Sequence, residues 1–108
     1  FSIGLNEVAI GMTMHHAGIE LARDRLRKSA FQRSVINAEM FDPLGALQAG
    51  FLDKVVAPEA LHTAALEAAR QLKKLNMNAH KQTKLKVRKA LLEALDDAIL
   101  QDQGHILS

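Results

Sequence analysis

Apolar side chains recur at helical intervals along the second half of the chain. After Pro58 they return every three or four positions, at Leu61, Ala65, Ala68, Leu72 and Leu75. After a break at residues 76–78, a seven-residue repeat follows, at Leu85, Leu92 and Ile99. This spacing marks one face of an α-helix, so the sequence predicts a helix with a buried stripe from Pro58 and a last long helix from about Ala79 to Gln101. The stripe of the last helix either forms a subunit interface or packs back on its own chain.

Residues 1–56 mix short extended segments with helices. Asp42-Pro43 predicts a helix start, because Asp can accept hydrogen bonds from free amides and Pro fits the first helical position. Gly50 is placed to end that helix in a left-handed conformation. The remaining patterns predict short strands at residues 1–3 and 51–56, a helix from about Ala17 and a connection over residues 37–41.

Composition excludes several classes of protein. A chain of 108 residues can bury a core without crosslinks, and the absence of Cys excludes disulfides, thiolate catalysis and Cys-based metal sites. No apolar run approaches the roughly 20 residues of a membrane span. The first residues show no signal or transit peptide, although their strand pattern without a preceding turn predicts a longer polypeptide with an N-terminal portion upstream of Phe1.

Basic residues are concentrated in one acid-free stretch, residues 68–92. They are Arg70, Lys73, Lys74, Lys81, Lys84, Lys86, Arg88 and Lys89. Such a stretch could meet nucleic acid, an acidic partner or ligand phosphates. The stretch has no aromatic residue for base stacking and is followed by acidic residues, so it favours a solvated helix face over a nucleic-acid surface.

Glu7 is the candidate catalytic residue. It is the one charged residue between Phe1 and Ile10, and glycines stand on both sides of it, at Gly4 and Gly11. Uncharged surroundings disfavour the ionised form of a carboxylate, which suits a group that takes and returns a proton. The alternative interpretation is a turn or capping residue.

Two segments carry a resemblance to a known family. Residues 3–7, Ile-Gly-Leu-Asn-Glu, are similar to a Gly-Leu-Pro/Asn-Glu segment, and residues 46–56 to an Ala-(three residues)-Gly-Leu-Val-Asp-x-Val-Val run. Gln82-Thr83-Lys84 also fits. The order and spacing of these segments, over residues 1–90, resemble the C-terminal part of the enoyl-CoA hydratase/isomerase (crotonase) superfamily.

The resemblance implies an α/β fold overall, the crotonase-like spiral, of which this mostly α-helical chain forms the last turn and the C-terminal helical region. Residues 1–56 would end the acyl-CoA-binding core, and residues 57–108 would drive assembly into a homotrimer or a dimer of trimers. In the family, two backbone amides stabilise a thioester enolate. Those amides belong to family segments upstream of Phe1, so this chain alone is expected to be inactive.

The resemblance also assigns candidate site residues. Glu7 matches the family's catalytic Glu, and Lys84 with its basic neighbours could reach the phosphates of coenzyme A. Residues 12–16 depart from the family's usual loop, and the flexible Met12 and Met14 could line an acyl pocket or pack in the core. His15 and His16 could add an acid or base or simply start a helix. No metal site is expected, because adjacent His residues do not meet on one helix face. No cofactor is expected besides the coenzyme A thioester, which is the substrate.

The resemblance therefore implies an acyl-CoA-processing enzyme of lipid metabolism, an enoyl-CoA isomerase or hydratase. Asn6 before Glu7, in place of Pro, favours the isomerases, in which a single Glu moves the proton. The alternatives are a hydratase that also uses a second, upstream Glu, and a non-catalytic helical oligomerisation module. The predicted location is the cytoplasm, with the mitochondrial or peroxisomal matrix left open.

Overall fold

The chain folds mainly into α-helices. The computed structural model describes residues 1–107, with side chains through residue 104; Ser108, the end of the predicted helical region, lies outside the described residues. The helices are α1 (His16–Arg25), α2 (Lys28–Val35), α3 (Pro43–Ala49), α4 (Leu61–Lys73), α5 (Met77–Val87) and α6 (Lys89–Leu107). The described residues also form strands β1 (Ile3–Gly4) and β2 (Met40–Phe41) and 3₁₀ turns at Val8–Ile10 and Pro58–Ala60. None of the described helices has both the length and the apolar character needed to cross a bilayer.

The two strands pair antiparallel, with Ile3 opposite Phe41 and Gly4 opposite Met40. A Cβ on Gly4 would lie 2.5 Å from Met40 Sδ and 2.9 Å from the Glu39 carbonyl oxygen, so this close pairing requires glycine. The strand predicted at residues 1–3 begins instead at Ile3, and its partner lies in the segment predicted as a connection. Strands of two residues are too short to show the alternation of polar and apolar residues by which a strand is recognised.

The helix α3 begins and ends where the sequence predicts. Asp42 Oδ1 accepts a hydrogen bond from the Gly45 amide at 2.7 Å, and Pro43 occupies the first helical position. At the other end Gly50 has φ of +105°, the left-handed conformation expected of it. Both caps are therefore confirmed, because capping depends on residues that are close in sequence.

Gly50 also brings the end of α3 against the junction of α1 and α2. A Cβ on Gly50 would lie 2.9 Å from the Arg25 carbonyl oxygen and 3.2 Å from the Arg27 nitrogen. The Arg27 amide donates a hydrogen bond to the Ala49 carbonyl at 2.9 Å. The turn between α1 and α2 is thus fixed by the backbone of α3.

Two clusters of buried side chains form the core on either side of this junction. One contains Met14, Ala22, Leu26 and Val35, and the other Ala30, Phe41, Ala46 and Ala49. Phe51 packs against both clusters, and its ring centroid lies 5.8 Å from that of Phe41. The prediction of a strand at residues 51–56 is wrong, because the apolar side chain that opens this segment fills the core while the segment pairs with no strand.

The chain divides into two units, residues 1–55 with the last helix from residue 91, and residues 56–90. The second unit contains α4 and α5, neither of which has a buried residue. Leu61, Leu72 and Leu75 of the predicted stripe are 64%, 53% and 50% exposed. The prediction that this stripe is buried is wrong for the described residues, since helical periodicity does not show whether a covering element exists. The functional division at residue 56 stays a prediction.

The last predicted helix is in fact two helices. α5 begins at Met77, where Asn76 Oδ1 accepts a hydrogen bond from the Ala79 amide at 2.9 Å. Arg88, with φ of −96° and ψ of 12°, leaves the helical conformation and separates α5 from α6. Lys84 and Arg88 are like charges four residues apart, which weakens a helix at this point. The apolar repeat continues across the break and therefore did not reveal it.

Replacing Gly50 with Ala should lower the free energy of unfolding by about 2 kcal/mol, because an L residue is strained at positive φ. The added Cβ would also meet the Arg25 carbonyl. Urea denaturation of the full-length protein measures this loss.

Two other glycines are matched controls for this change. Gly11 also has positive φ, at +84°, but nothing lies within 4 Å of a Cβ there, so Gly11→Ala measures backbone strain alone and should cost less. Gly104 is helical and open, so Gly104→Ala should stabilise the protein slightly. Equal losses at Gly50 and Gly11 would show that the contact with Arg25 contributes nothing.

Candidate active site

Glu7 stands at the start of a closed backbone loop. It precedes the 3₁₀ turn Val8–Ile10, and Gly11, in a left-handed conformation, ends that turn. The Met12 amide donates a hydrogen bond to the Glu7 carbonyl at 2.8 Å, and the Gly11 amide donates to the Val8 carbonyl at 3.2 Å. This pair of bonds is the glycine-terminated helix cap. Glu7 therefore has the turn position that the alternative interpretation expected, but its side chain forms no cap hydrogen bond.

The carboxylate of Glu7 is partly buried. Its Oε2 atom is shielded from solvent and has no hydrogen-bond partner among the described residues. A shielded carboxylate oxygen without a donor costs free energy, so it is unusual in a purely structural residue. Such an oxygen is able to accept a proton or a donor from a bound molecule.

A surface cavity of about 480 Å³ with an apolar lining begins at Val8, the residue that follows Glu7 in the chain. Its walls include Val8, Met12, Met14, Ile19, Val35 and Ile36. Thr13 supplies the one polar side chain among the residues that line it, and none of them is ionisable. A cavity of this size and lining suits an apolar group. Glu7 directly precedes Val8, the first residue of the cavity wall.

Both predicted methionines line this cavity, in different ways. Met14 is 8% exposed and belongs to the core cluster with Ala22 and Leu26, as the alternative interpretation of the sequence expected. Met12 is 55% exposed, so it lines the cavity from the protein surface. The structure therefore brings Met12 and Met14 together, while their contact with an acyl chain stays a prediction.

The first amides of α1 are capped by a carboxylate from α6. Asp102 Oδ1 accepts a hydrogen bond from the His16 amide at 2.8 Å, and Oδ2 accepts one from the Ala17 amide at 3.0 Å. The Ala17 amide is the main cause of a lowered pKa of Asp102; partial burial opposes it, whereas the His16 amide and the charges of His16 and His15 act with it. The two His residues thus start a helix, one of the alternatives the sequence left open.

Sequence reasoning missed Asp102. It lies 85 residues from Ala17, and an Asp on the polar face of a helix gives no sign of a distant partner. The signal that exists is indirect: α1 has no acidic residue in its first turn and His15 forms no side-chain cap, so its free amides need another acceptor.

Lys84 lies in the other unit, on α5. It lines a cavity of about 450 Å³ together with Leu75, His80, Val87 and Arg88. The ionisable side chains of this lining are all basic, which fits an anionic group. Lys84 and the cavity that it lines belong to the second unit. The contact of Lys84 with a phosphate stays a prediction.

No group of three His, Cys, Asp or Glu side chains within the described part of the chain could hold a metal ion. His15 and His16 lie at the start of α1, where the Asp102 carboxylate accepts hydrogen bonds from the amides of His16 and Ala17.

Comparisons with known proteins agree on one family. A family model described as "Enoyl-CoA hydratase/isomerase" matches residues 1–107. The chain is 79% identical to a solved enoyl-CoA hydratase/isomerase family protein from Pseudomonas syringae, with a TM-score of 0.96 over 97% of this chain. It is 40% identical to a solved enoyl-CoA hydratase of Mycobacterium ulcerans, with a TM-score of 0.92 over 98% of this chain. These similarities confirm the predicted fold class.

A curated relative carries the name of an isomerase. The human protein "Enoyl-CoA delta isomerase 1, mitochondrial" is 30% identical over 95 residues, which are 88% of this chain and 32% of that protein. The chain also covers 46% of each of the two solved structures. It therefore spans less than half the length of the proteins it matches.

Replacing Asp102 with Asn should destabilise the protein at neutral pH, because the carboxylate that binds two amides is lost. Since the folded-state pKa of Asp102 lies below its ordinary value of 3.8, the wild-type advantage should be constant above that value. It should shrink as the pH falls through the lower, folded-state pKa. Thermal unfolding at a series of pH values measures this difference.

The matched control is Asp97→Asn. Asp97 is on the same helix, and its carboxylate accepts a hydrogen bond from Gln101, its near neighbour on α6. It removes the same charge without touching α1, so its effect should be smaller. A gap between wild type and Asp102→Asn that persists unchanged at the lowest pH would contradict the assignment.

Proposed function

This chain belongs to the enoyl-CoA hydratase/isomerase family, and from that premise we propose that it is the C-terminal part of an enzyme that acts on 2- or 3-enoyl-CoA thioesters. The family acts on acyl-CoA substrates. In the proposed enzyme Glu7 is the general acid/base, and a portion of the protein upstream of Phe1 supplies the amides that bind the thioester oxygen.

The proposed reaction is the movement of a double bond. The carboxylate of Glu7 takes a proton from carbon 2 of a 3-enoyl thioester, and the electron pair passes into the conjugated enolate. The protonated Glu7 then returns the proton to carbon 4, which leaves the double bond next to the thioester carbonyl. Every atom of the substrate is kept. Two backbone amides aimed at the enolate oxygen stabilise the charge that forms there.

The observation that carries this proposal is the state of the Glu7 carboxylate. Its Oε2 atom is shielded and has no partner among the described residues, and the next residue, Val8, begins the wall of an apolar cavity. A shielded carboxylate oxygen without a donor is free to take a proton from a substrate carbon placed beside it. The apolar lining accommodates the acyl tail, with Met12 and Met14 as adaptable wall residues.

Hydration of a 2-enoyl thioester is the second candidate reaction. It requires a second acid/base group, in this case a Glu upstream of Phe1, to share the activation of water with Glu7. Asn6 before Glu7, in place of Pro, resembles the isomerases and supports the first reaction, for which a single Glu is sufficient. The reaction product separates the two, because a hydratase adds water to the substrate and an isomerase does not.

The second unit supports a role in assembly. Leu61, Leu72 and Leu75 expose half or more of their surface, and Leu85 exposes nearly half. Apolar surface on this scale is typical of a protein interface. We propose that these helices take part in a homotrimer or a dimer of trimers; a helical module without catalysis is the alternative that the exposed surface alone would also support.

Lys84 is proposed to contact the phosphates of coenzyme A, in its own subunit or in a neighbouring one. His80, Lys84 and Arg88 line one cavity on α5, and no acidic residue lines it.

The cytoplasm stays the proposed location, with the mitochondrial or peroxisomal matrix as alternatives.

Glu7→Gln in the full-length protein should reduce kcat for an enoyl-CoA by about 10²–10⁴-fold, the usual contribution of a general acid/base, with little change in KM. Gln keeps the size of the side chain and removes its basicity. The matched control is Glu39→Gln, since Glu39 Oε2 is also shielded but its carboxylate pairs with Arg33. The control should keep its turnover, and full turnover in Glu7→Gln would refute the catalytic role.

Lys84→Glu should raise KM for the CoA thioester about tenfold, as expected when a phosphate contact worth ~1.4 kcal/mol is lost. The same change should leave kcat unaltered and make KM less sensitive to salt. Lys81→Glu, on the same helix but outside the cavity, is the control. If both substitutions change KM equally, the effect comes from the general charge of α5 and not from a site at Lys84.

A further inference from the structure

The contact between Asp102 and α1 joins two distant parts of the first unit. Each oxygen of the Asp102 carboxylate accepts one amide, from His16 at 2.8 Å and from Ala17 at 3.0 Å. Hydrogen bonds from amides to a charged acceptor are among the stronger ones in proteins. Ala98, one turn earlier on α6, is 3% exposed, so α6 is packed into the first unit beside this contact.

The start of α1 is part of the wall of the apolar cavity. Met12, Thr13 and Met14 line the cavity and lead directly into His15, which precedes the helix. Ile19 lines the cavity from the first turns of α1, and its amide donates to the His15 carbonyl at 3.2 Å. A shift of the start of α1 therefore shifts the cavity wall on both sides of His15.

Gly18 holds the same wall from within the helix. A Cβ on Gly18 would lie 2.8 Å from His15 Cε1 and 2.9 Å from Met14 Cε. The His15 ring and the Met14 methyl group thus pack into the space that the missing Cβ leaves. Two contacts therefore act at the start of α1. Gly18 leaves room for Met14 and His15, and Asp102 binds the amides of His16 and Ala17.

We propose that Asp102 is a positioning residue for acyl-chain binding: by fixing the first amides of α1, it fixes the wall formed by Met12, Met14 and Ile19. This inference rests on the proposed function, in which that wall binds the acyl tail. The last helix then determines which acyl chains bind well, and it does so without contacting the substrate. The Asp102 carboxylate bonds to the amides of His16 and Ala17 and not to Glu7, so Asp102 takes no part in the proton transfer itself.

The test compares a short and a long substrate on the full-length protein. A four-carbon butenoyl chain places its reacting carbons at Glu7 and extends little into the cavity. A ten-carbon decenoyl chain runs along the wall. Asp102→Asn should raise KM for decenoyl-CoA about tenfold, because the displaced wall buries less of the acyl chain, and leave kcat nearly unchanged. KM for the short substrate, which buries little surface on this wall, should change less than about twofold.

Three further variants distinguish positioning from loss of stability. Asp97→Asn, on the same helix but away from α1, should change KM for neither substrate. Asp102→Glu, which keeps the charge, should restore part of the affinity for the long chain. Gly18→Ala favours helix formation but pushes His15 and Met14 aside, so it should show the same loss for the long chain without destabilising the protein.

Hydrogen exchange at the His16 and Ala17 amides checks the contact itself. Asp102→Asn should speed their exchange, and Asp97→Asn should not. An equal rise in KM for the short and the long substrate, or unchanged exchange at these amides, would overturn the proposal.

The outcome for Glu7→Gln separates this inference from the proposed function. If Glu7→Gln abolishes turnover and Asp102→Asn shows no dependence on chain length, only the positioning role of Asp102 fails. If Glu7→Gln keeps full turnover, the proposed function fails, whatever Asp102→Asn does.

Discussion

The first unit is built around the point where the end of α3 meets the backbone between α1 and α2. Gly50 makes the approach feasible because a Cβ would collide with the Arg25 carbonyl, and the Arg27 amide bonds to Ala49 across the contact. Phe51 then fills the space between the two core clusters. Since the cavity wall lies partly on α1 and α2, the same contact fixes the angle between the two helices that form it.

Features that depend on neighbouring residues were predictable from the sequence. The start of α3 at Asp42-Pro43, its end at Gly50 and the turn at Gly11 all follow from local hydrogen bonding and backbone sterics. Features that depend on distant partners were not. The strand pairing of Gly4 with Met40 is too short to leave a pattern, and the apolar residues of α4 share their periodicity with a buried helix although the described chain does not cover them.

The candidate site divides along the same line. Glu7 was found because its segment resembles that of a known family, and the structure adds the shielded Oε2 atom, which no sequence pattern indicates. Met12 and Met14 line one cavity, and their contact with an acyl chain stays a prediction. Asp102 could not be found, because its two partners are amides, which every residue except proline carries and which no side-chain pattern reveals.

The backbone of Glu7 also has an energetic consequence. Its carbonyl accepts hydrogen bonds from the amides of both Ile10 and Met12, at 3.1 and 2.8 Å, so the loop is ordered before any ligand arrives. Ordering one residue costs on the order of 1–2 kcal/mol of conformational entropy. Here the cost is met during folding, so the backbone that carries the Glu7 side chain is already ordered for any ligand that binds beside it.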